Sequence, residues 1–76
     1  MNIDIKDIVT LSDDIKYAVV SKTNYNGNTY YYLVDITNNK NVKFCLEENQ
    51  YLVEVEDENV LKTIIPKLYN VIKDML

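Results

Sequence analysis

Asn26-Gly27 constrains this chain more than any other feature, because it stands between two long runs in which apolar and polar side chains alternate. A two-residue hairpin turn of type I′ needs positive φ at both central positions, and Asn followed by Gly supplies that backbone at low steric cost. Upstream, Ile15, Tyr17 and Val19 share one parity, with Ala18 and Val20 on the other. Downstream, Tyr30, Tyr32, Val34 and Ile36 alternate in the same way. The pattern predicts a strand over 15–25, a return strand over 29–37 and an antiparallel pairing between them.

Three further strands and a helix follow from period alone. Ile8–Leu11 reads as a first strand, and Ser12-Asp13-Asp14 has the composition of a turn. Asn38-Asn39-Lys40-Asn41 is a second turn, in which Asn is expected to take left-handed backbone. Val42, Phe44 and Leu46 alternate with Lys43, Cys45 and Glu47, which places Cys45 and Lys43 outward. After a turn over 47–50, Tyr51, Val53 and Val55 alternate with Leu52, Glu54 and Glu56. From residue 57 the spacing changes. Leu61, Ile64, Leu68, Ile72 and Met75 recur every three or four residues, as on one helix face. Asp57 has the chemistry of an N-cap, and Glu58 suits the positive end of the helix dipole. Pro66 lacks the N–H of a helix interior, so a kink or break is expected there. The expected architecture is α+β: an antiparallel meander of about five strands within 3–56, curled toward an SH3-like partial barrel, covered by a kinked C-terminal helix over 57–75. The chain, 1–76, is one domain.

Composition bounds what such a domain can do. Seventy-six residues bury only about 60% of their unfolded surface, so stability rests on a thin core. The one cysteine, Cys45, cannot form an internal disulfide, and with no His the four ligands of a structural zinc site are not there. Nucleophilic catalysis needs a nucleophile, a base and an orienting group. Without His there is no Ser-His or Cys-His pair, and Gly27, the only glycine, is used in the hairpin, so no glycine-rich phosphate loop exists. Asp13-Asp14 and Asp57-Glu58 match no calcium-loop spacing. No catalytic activity, cofactor or metal is expected. Residues 1–7 lack the layout of a signal peptide, no apolar run approaches the roughly 18 residues of a membrane span, and the thiol is solitary. A cytoplasmic protein is the expectation.

Charge is unevenly placed. Residues 1–46 carry five Lys and five acids, whereas residues 47–76 carry seven acids and three Lys, so the whole net charge of −4 sits in the last third. Nucleic acids and anionic membranes are bound mainly through Lys and Arg, which makes either a poor ligand for this chain. Asn, Ile, Lys and Tyr together make up 33 of the 76 residues and Arg is absent, a coding bias of AT-rich genomes.

Three features have the chemistry of contact surfaces. Tyr30-Tyr31-Tyr32 must alternate along its strand, so either Tyr31 or the pair Tyr30 and Tyr32 is expected to be exposed, as a protein contact or a base-stacking platform. Between Glu47 and Glu58 there are six acids and no Lys. Of these, Glu54, Glu56, Asp57 and Glu58 would form a negative patch complementary to a basic partner, or only a solvated edge that blocks sheet-to-sheet aggregation. On the helix, Val60, Ile65, Tyr69 and Leu76 exceed what one stripe needs, and a homodimer seam is one use for them.

The succession Ile8-Val9-Thr10-Leu11, Tyr17-Ala18-Val19-Val20, then Tyr25-Asn26-Gly27-Asn28-Thr29-Tyr30-Tyr31-Tyr32-Leu33-Val34, followed by an acidic strand and an acidic-headed helix, resembles short acidic proteins of unknown function from low-GC Gram-positive bacteria and their phages. That resemblance covers most of the chain and transfers no functional residue. The function expected is a non-catalytic protein-interaction module of such a bacterium or phage. Two alternatives are an acidic phage-type inhibitor in the basic groove of a host nucleic-acid-binding protein and a weak single-stranded nucleic-acid binder.

Overall fold

A computed structural model describes residues 3–75 of the chain. Five strands, β1 (Ile8–Thr10), β2 (Lys16–Tyr25), β3 (Asn28–Asp35), β4 (Val42–Glu48) and β5 (Tyr51–Glu54), precede one helix, α1 (Glu58–Met75). The strands pair antiparallel in sequence order β1-β2-β3-β4-β5, a meander curled into a half-barrel. The fold class anticipated from hydrophobic period is the one observed.

Asn26 and Gly27 have φ of 54° and 81°, and Tyr25 pairs with Asn28 across them, as a type I′ turn requires. The β4–β5 connection repeats this geometry without glycine. Asn49 and Gln50 have φ of 51° and 69° between the paired residues Glu48 and Tyr51. The turn at 38–41 does not take the left-handed backbone expected of its asparagines. It closes through a backbone bond, Asn41 N–H donating to the Asn38 carbonyl at 2.9 Å, supported by side-chain acceptors: Lys40 N–H donates to Asn38 Oδ1 at 3.2 Å, and just before the turn Thr37 N–H donates to Asp35 Oδ1 at 2.8 Å. Carboxylates and amides that bond backbone two residues on make a turn without positive φ.

The β2–β3 register slips between Val19 and Ser21, a bulge at Val20. Its consequence is a change of face. Before the bulge, Tyr17 and Val19 point inward with Leu33, Tyr31 and Cys45, all buried, and Val9, Leu11, Ile15 and Leu52 pack against them. After it, Ser21 and Tyr25 point to the opposite face, where α1 lies over Tyr30, Tyr32, Phe44 and Leu46. One long strand thus feeds two cores.

The helix is anchored at both ends of its packed stripe. Asp57 Oδ1 accepts from Asn59 N–H at 2.8 Å, the N-cap that the sequence predicts. Ile64 and Leu68 are fully buried on the sheet, each contributing about 1.5–3 kcal/mol of burial. Buried Ser21 donates its hydroxyl to the Leu68 carbonyl at 2.7 Å, fixing the helix on β2. The helix does not break at Pro66, which stands exposed within it.

Candidate functional site

Both faces of the half-barrel are covered, and this decides where a contact surface can lie. Tyr31 is 2% exposed in the inner cluster and Tyr30 is 5% exposed under α1. Tyr32 is half-buried, stacked on Phe44 at 5.1 Å with the Tyr69 ring edge-on at 5.7 Å. Neither parity of Tyr30-Tyr31-Tyr32 is therefore exposed. The expectation of an exposed ring failed because it assumed one buried face, whereas curling buries the second as well. Tyr31 serves the fold instead. Its hydroxyl donates to Glu47 at 2.8 Å, and burial, then that carboxylate, push its pKa up. Tyr17 does the same at the other end of the barrel. It donates to Asp13 at 2.8 Å and receives the Asn41 amide at 3.3 Å, while Asn41 also donates to Asp35 at 3.2 Å.

Cys45 faces inward rather than outward and is fully buried. Burial, then the Glu54 carboxylate, push its thiol up to about 11. A buried thiol raised in this way lacks the exposed, lowered-pKa setting of reactive cysteines. Among the described residues, no three His, Cys, Asp or Glu side chains converge as a metal site. No helix among them is long and apolar enough to cross a membrane.

The acidic run spreads along one edge. Glu54, on the edge strand β5, lies 3.4 Å from Lys43 Nζ, and its hydrogen bond raises the lysine's pKa. Glu56 is exposed in the link to the helix, Asp57 caps it, and Glu58 is exposed in its first turn. Glu48, Glu56 and Glu58 make no ion pair among the described residues. Of the four acids singled out, Asp57 and Glu54 have structural partners, and Glu56 and Glu58 have none among the described residues.

Sequence alternation missed the most exposed of the aromatic residues among those described. Tyr51 is 73% exposed and Val53 45% exposed, both on β5 among these acids. Alternation put them on the parity opposite Glu54 and Glu56 and did not single them out as a contact surface. The signal for their exposure was their position on the last strand of the meander, which has only one neighbour. On α1, Tyr69 is 49% exposed, while Val60 and Ile65 are half-buried. Leu76 lies outside the described residues.

Among the recesses that flank the sheet, two lie near the N-terminal segment and the acidic edge. One, of about 610 Å³, is polar and holds the Lys22–Asp4 ion pair at 2.7 Å beside Tyr31 and Glu47. The other, of about 530 Å³, runs between β1 and β5 and is lined mainly by Ile3, Val9, Leu11, Tyr51 and Leu52. The class that these features define is an open antiparallel half-barrel with one covering helix and an acidic, aromatic edge. Comparison with family models, curated proteins and solved structures finds no match.

Proposed function

We propose that this chain is a non-catalytic protein-interaction module, of the kind small proteins of low-GC bacteria and their phages supply, and that β5 with its acidic flanks is the contact surface. The observation that carries this is the pairing of Tyr51 and Val53, both exposed, with Glu48, Glu56 and Glu58, which no cation neutralises among the described residues. Tyrosine supplies large contact area at small entropic cost, and carboxylates around it steer a basic partner. An inhibitor seated in the basic groove of a nucleic-acid-binding protein is the sharper form of this reading. The test is a nuclease-treated pull-down from a low-GC bacterial lysate at low and high salt, with a Glu54→Lys, Glu56→Lys double variant alongside. The wild type should retain a basic protein that the variant loses and that salt releases. Equal retention by both would move the contact to α1, where Tyr69 is exposed. Single-stranded nucleic-acid binding has lost its platform at Tyr30–Tyr32, and a mobility shift with poly-U at low salt should show no complex.

A further inference from the structure

Among the described residues, the two edges of the half-barrel turn backbone groups outward that no neighbouring strand pairs. β1 and β5 are the two ends of the strand order and are not paired with each other. Val19 N–H donates to the Asp7 carbonyl at 2.8 Å and Leu11 N–H to the Ile15 carbonyl at 3.1 Å, so Asp7, Val9 and Leu11 turn their backbone toward β2. Antiparallel ladders alternate, which leaves Ile8 and Thr10 facing outward. On the other edge, Val55 N–H donates to the Phe44 carbonyl at 2.8 Å. Tyr51, Val53 and Val55 therefore face β4, and Leu52 and Glu54 turn their N–H and C=O outward. These two free edges border the same groove, and Val9, Leu11 and Leu52 reach from it onto the inner cluster. The groove is the open seam of the barrel.

We propose that this seam accepts an extended peptide strand of a partner protein. The strand pairs with the outer backbone of β5 at Leu52 and Glu54 and lays alternate apolar side chains against Val9, Leu11 and Leu52. Its ends are basic, because Glu48 stands at one end of β5 and Glu54 and Glu56 at the other, with no Lys between Glu47 and Glu58. Main-chain bonds give such strand addition its affinity, and alternate side chains give it specificity. A second copy of the chain fits less well, since pairing β5 with β5 would bring like charges together. This proposal rests on the reading of β5 as the contact surface.

The test uses three fluorescent peptides and the intact chain, read by anisotropy. The first alternates Val and Thr with Lys at both ends. The second has the same side chains with ester oxygens in place of the backbone N–H groups. The third carries Glu at its ends. The first should bind saturably and the ester form about tenfold or more weaker, because an ester oxygen cannot donate the main-chain hydrogen bonds. Val9→Lys, its fold checked by circular dichroism, should bind the first peptide comparably weakly, and the Glu-ended peptide should not bind. No saturable binding of the first peptide overturns the proposal. Equal affinity of the ester form overturns strand pairing, and if Glu54→Lys, Glu56→Lys then abolishes both complexes, the acidic contact surface survives without it. Equal binding of the Glu-ended peptide overturns the basic occupant together with that reading. A dimer by sedimentation that the first peptide does not dissociate assigns the seam to a second copy and overturns the proposal as well.

Discussion

Gln50 shows how much a single residue can give up to a turn. Its φ of 69° is left-handed, a conformation that costs a residue with a Cβ about 1–2 kcal/mol, and its side chain is exposed and makes no hydrogen bond among the described residues. Glycine adopts the same backbone without that cost but loses more chain entropy on folding. Gln50→Gly should therefore stabilise the domain by about 0.5–1 kcal/mol, seen as a higher urea midpoint with unchanged slope. An unchanged or lower midpoint would mean that the turn is held by something other than its backbone. Gly27, by contrast, was legible at once, because Asn-Gly between alternating strands has one economical conformation. Asn49-Gln50 was legible only as a turn, since Gln carries no preference for positive φ.

The helix is an element whose ends were written locally and whose middle was not. Asp57, Glu58 and the three-to-four spacing of Leu61, Ile64 and Leu68 predict where α1 starts and which face it buries. Pro66 predicts a kink or break, and the helix does not break there but runs on from Glu58 to Met75. Packing explains this: Ile64 and Leu68 are fully buried on either side of the proline, and Ser21 holds the Leu68 carbonyl. The proline still withholds an N–H from the carbonyl of Lys62. Pro66→Ala should stabilise the protein by about 1–3 kcal/mol, measured by thermal or urea unfolding, because alanine restores that bond without adding buried bulk. A destabilised variant would show that the proline orders the chain in a way the helix needs. β2 is the complementary case. Its alternation reads as one strand with two constant faces, and only the bulge at Val20 transfers Ser21 and Tyr25 to the helix side. No residue in Ala18-Val19-Val20-Ser21 signals a bulge, since none is a Gly or Pro and their alternation continues through it.

At the scale of the whole molecule, the half-barrel is tied at one end by the chain of side chains Asp13, Tyr17, Asn41 and Asp35. Asp13 is held below the usual carboxylate range first by the Ile15 N–H and then by the Tyr17 hydroxyl. Asp35 is held low first by the Thr37 N–H and then by the Asn41 amide. A carboxyl whose pKa is lower in the folded than in the unfolded chain stabilises the fold above its unfolded value, and that contribution is lost as pH falls through the folded value. The urea midpoint should therefore hold down to about pH 4 and fall below it. Asp35→Asn should be less stable at neutral pH and lose less on acidification. A variant that acidification weakens as steeply as the wild type would show that the acid limb has another origin. Tyr17 has the opposite sign: burial and then Asp13 raise its pKa, so its contribution is present below about pH 10 and is lost in alkali.

By itself the sequence determined the elements: the hairpin at Asn26-Gly27, five strands in order, the capped helix, and the acidic run that travels with β5. Each follows from residues within a turn or a strand of one another, which is the range over which backbone preference and hydrophobic period act. Tertiary structure alone decided which surfaces remained open. Alternation assigns a residue to a face, but curling decides whether that face meets water. It sealed Tyr31 and Cys45 inside while α1 covered Tyr30, left Tyr51 and Val53 on an edge with a single neighbour, and brought β1 and β5, remote in the chain, to either side of one apolar seam.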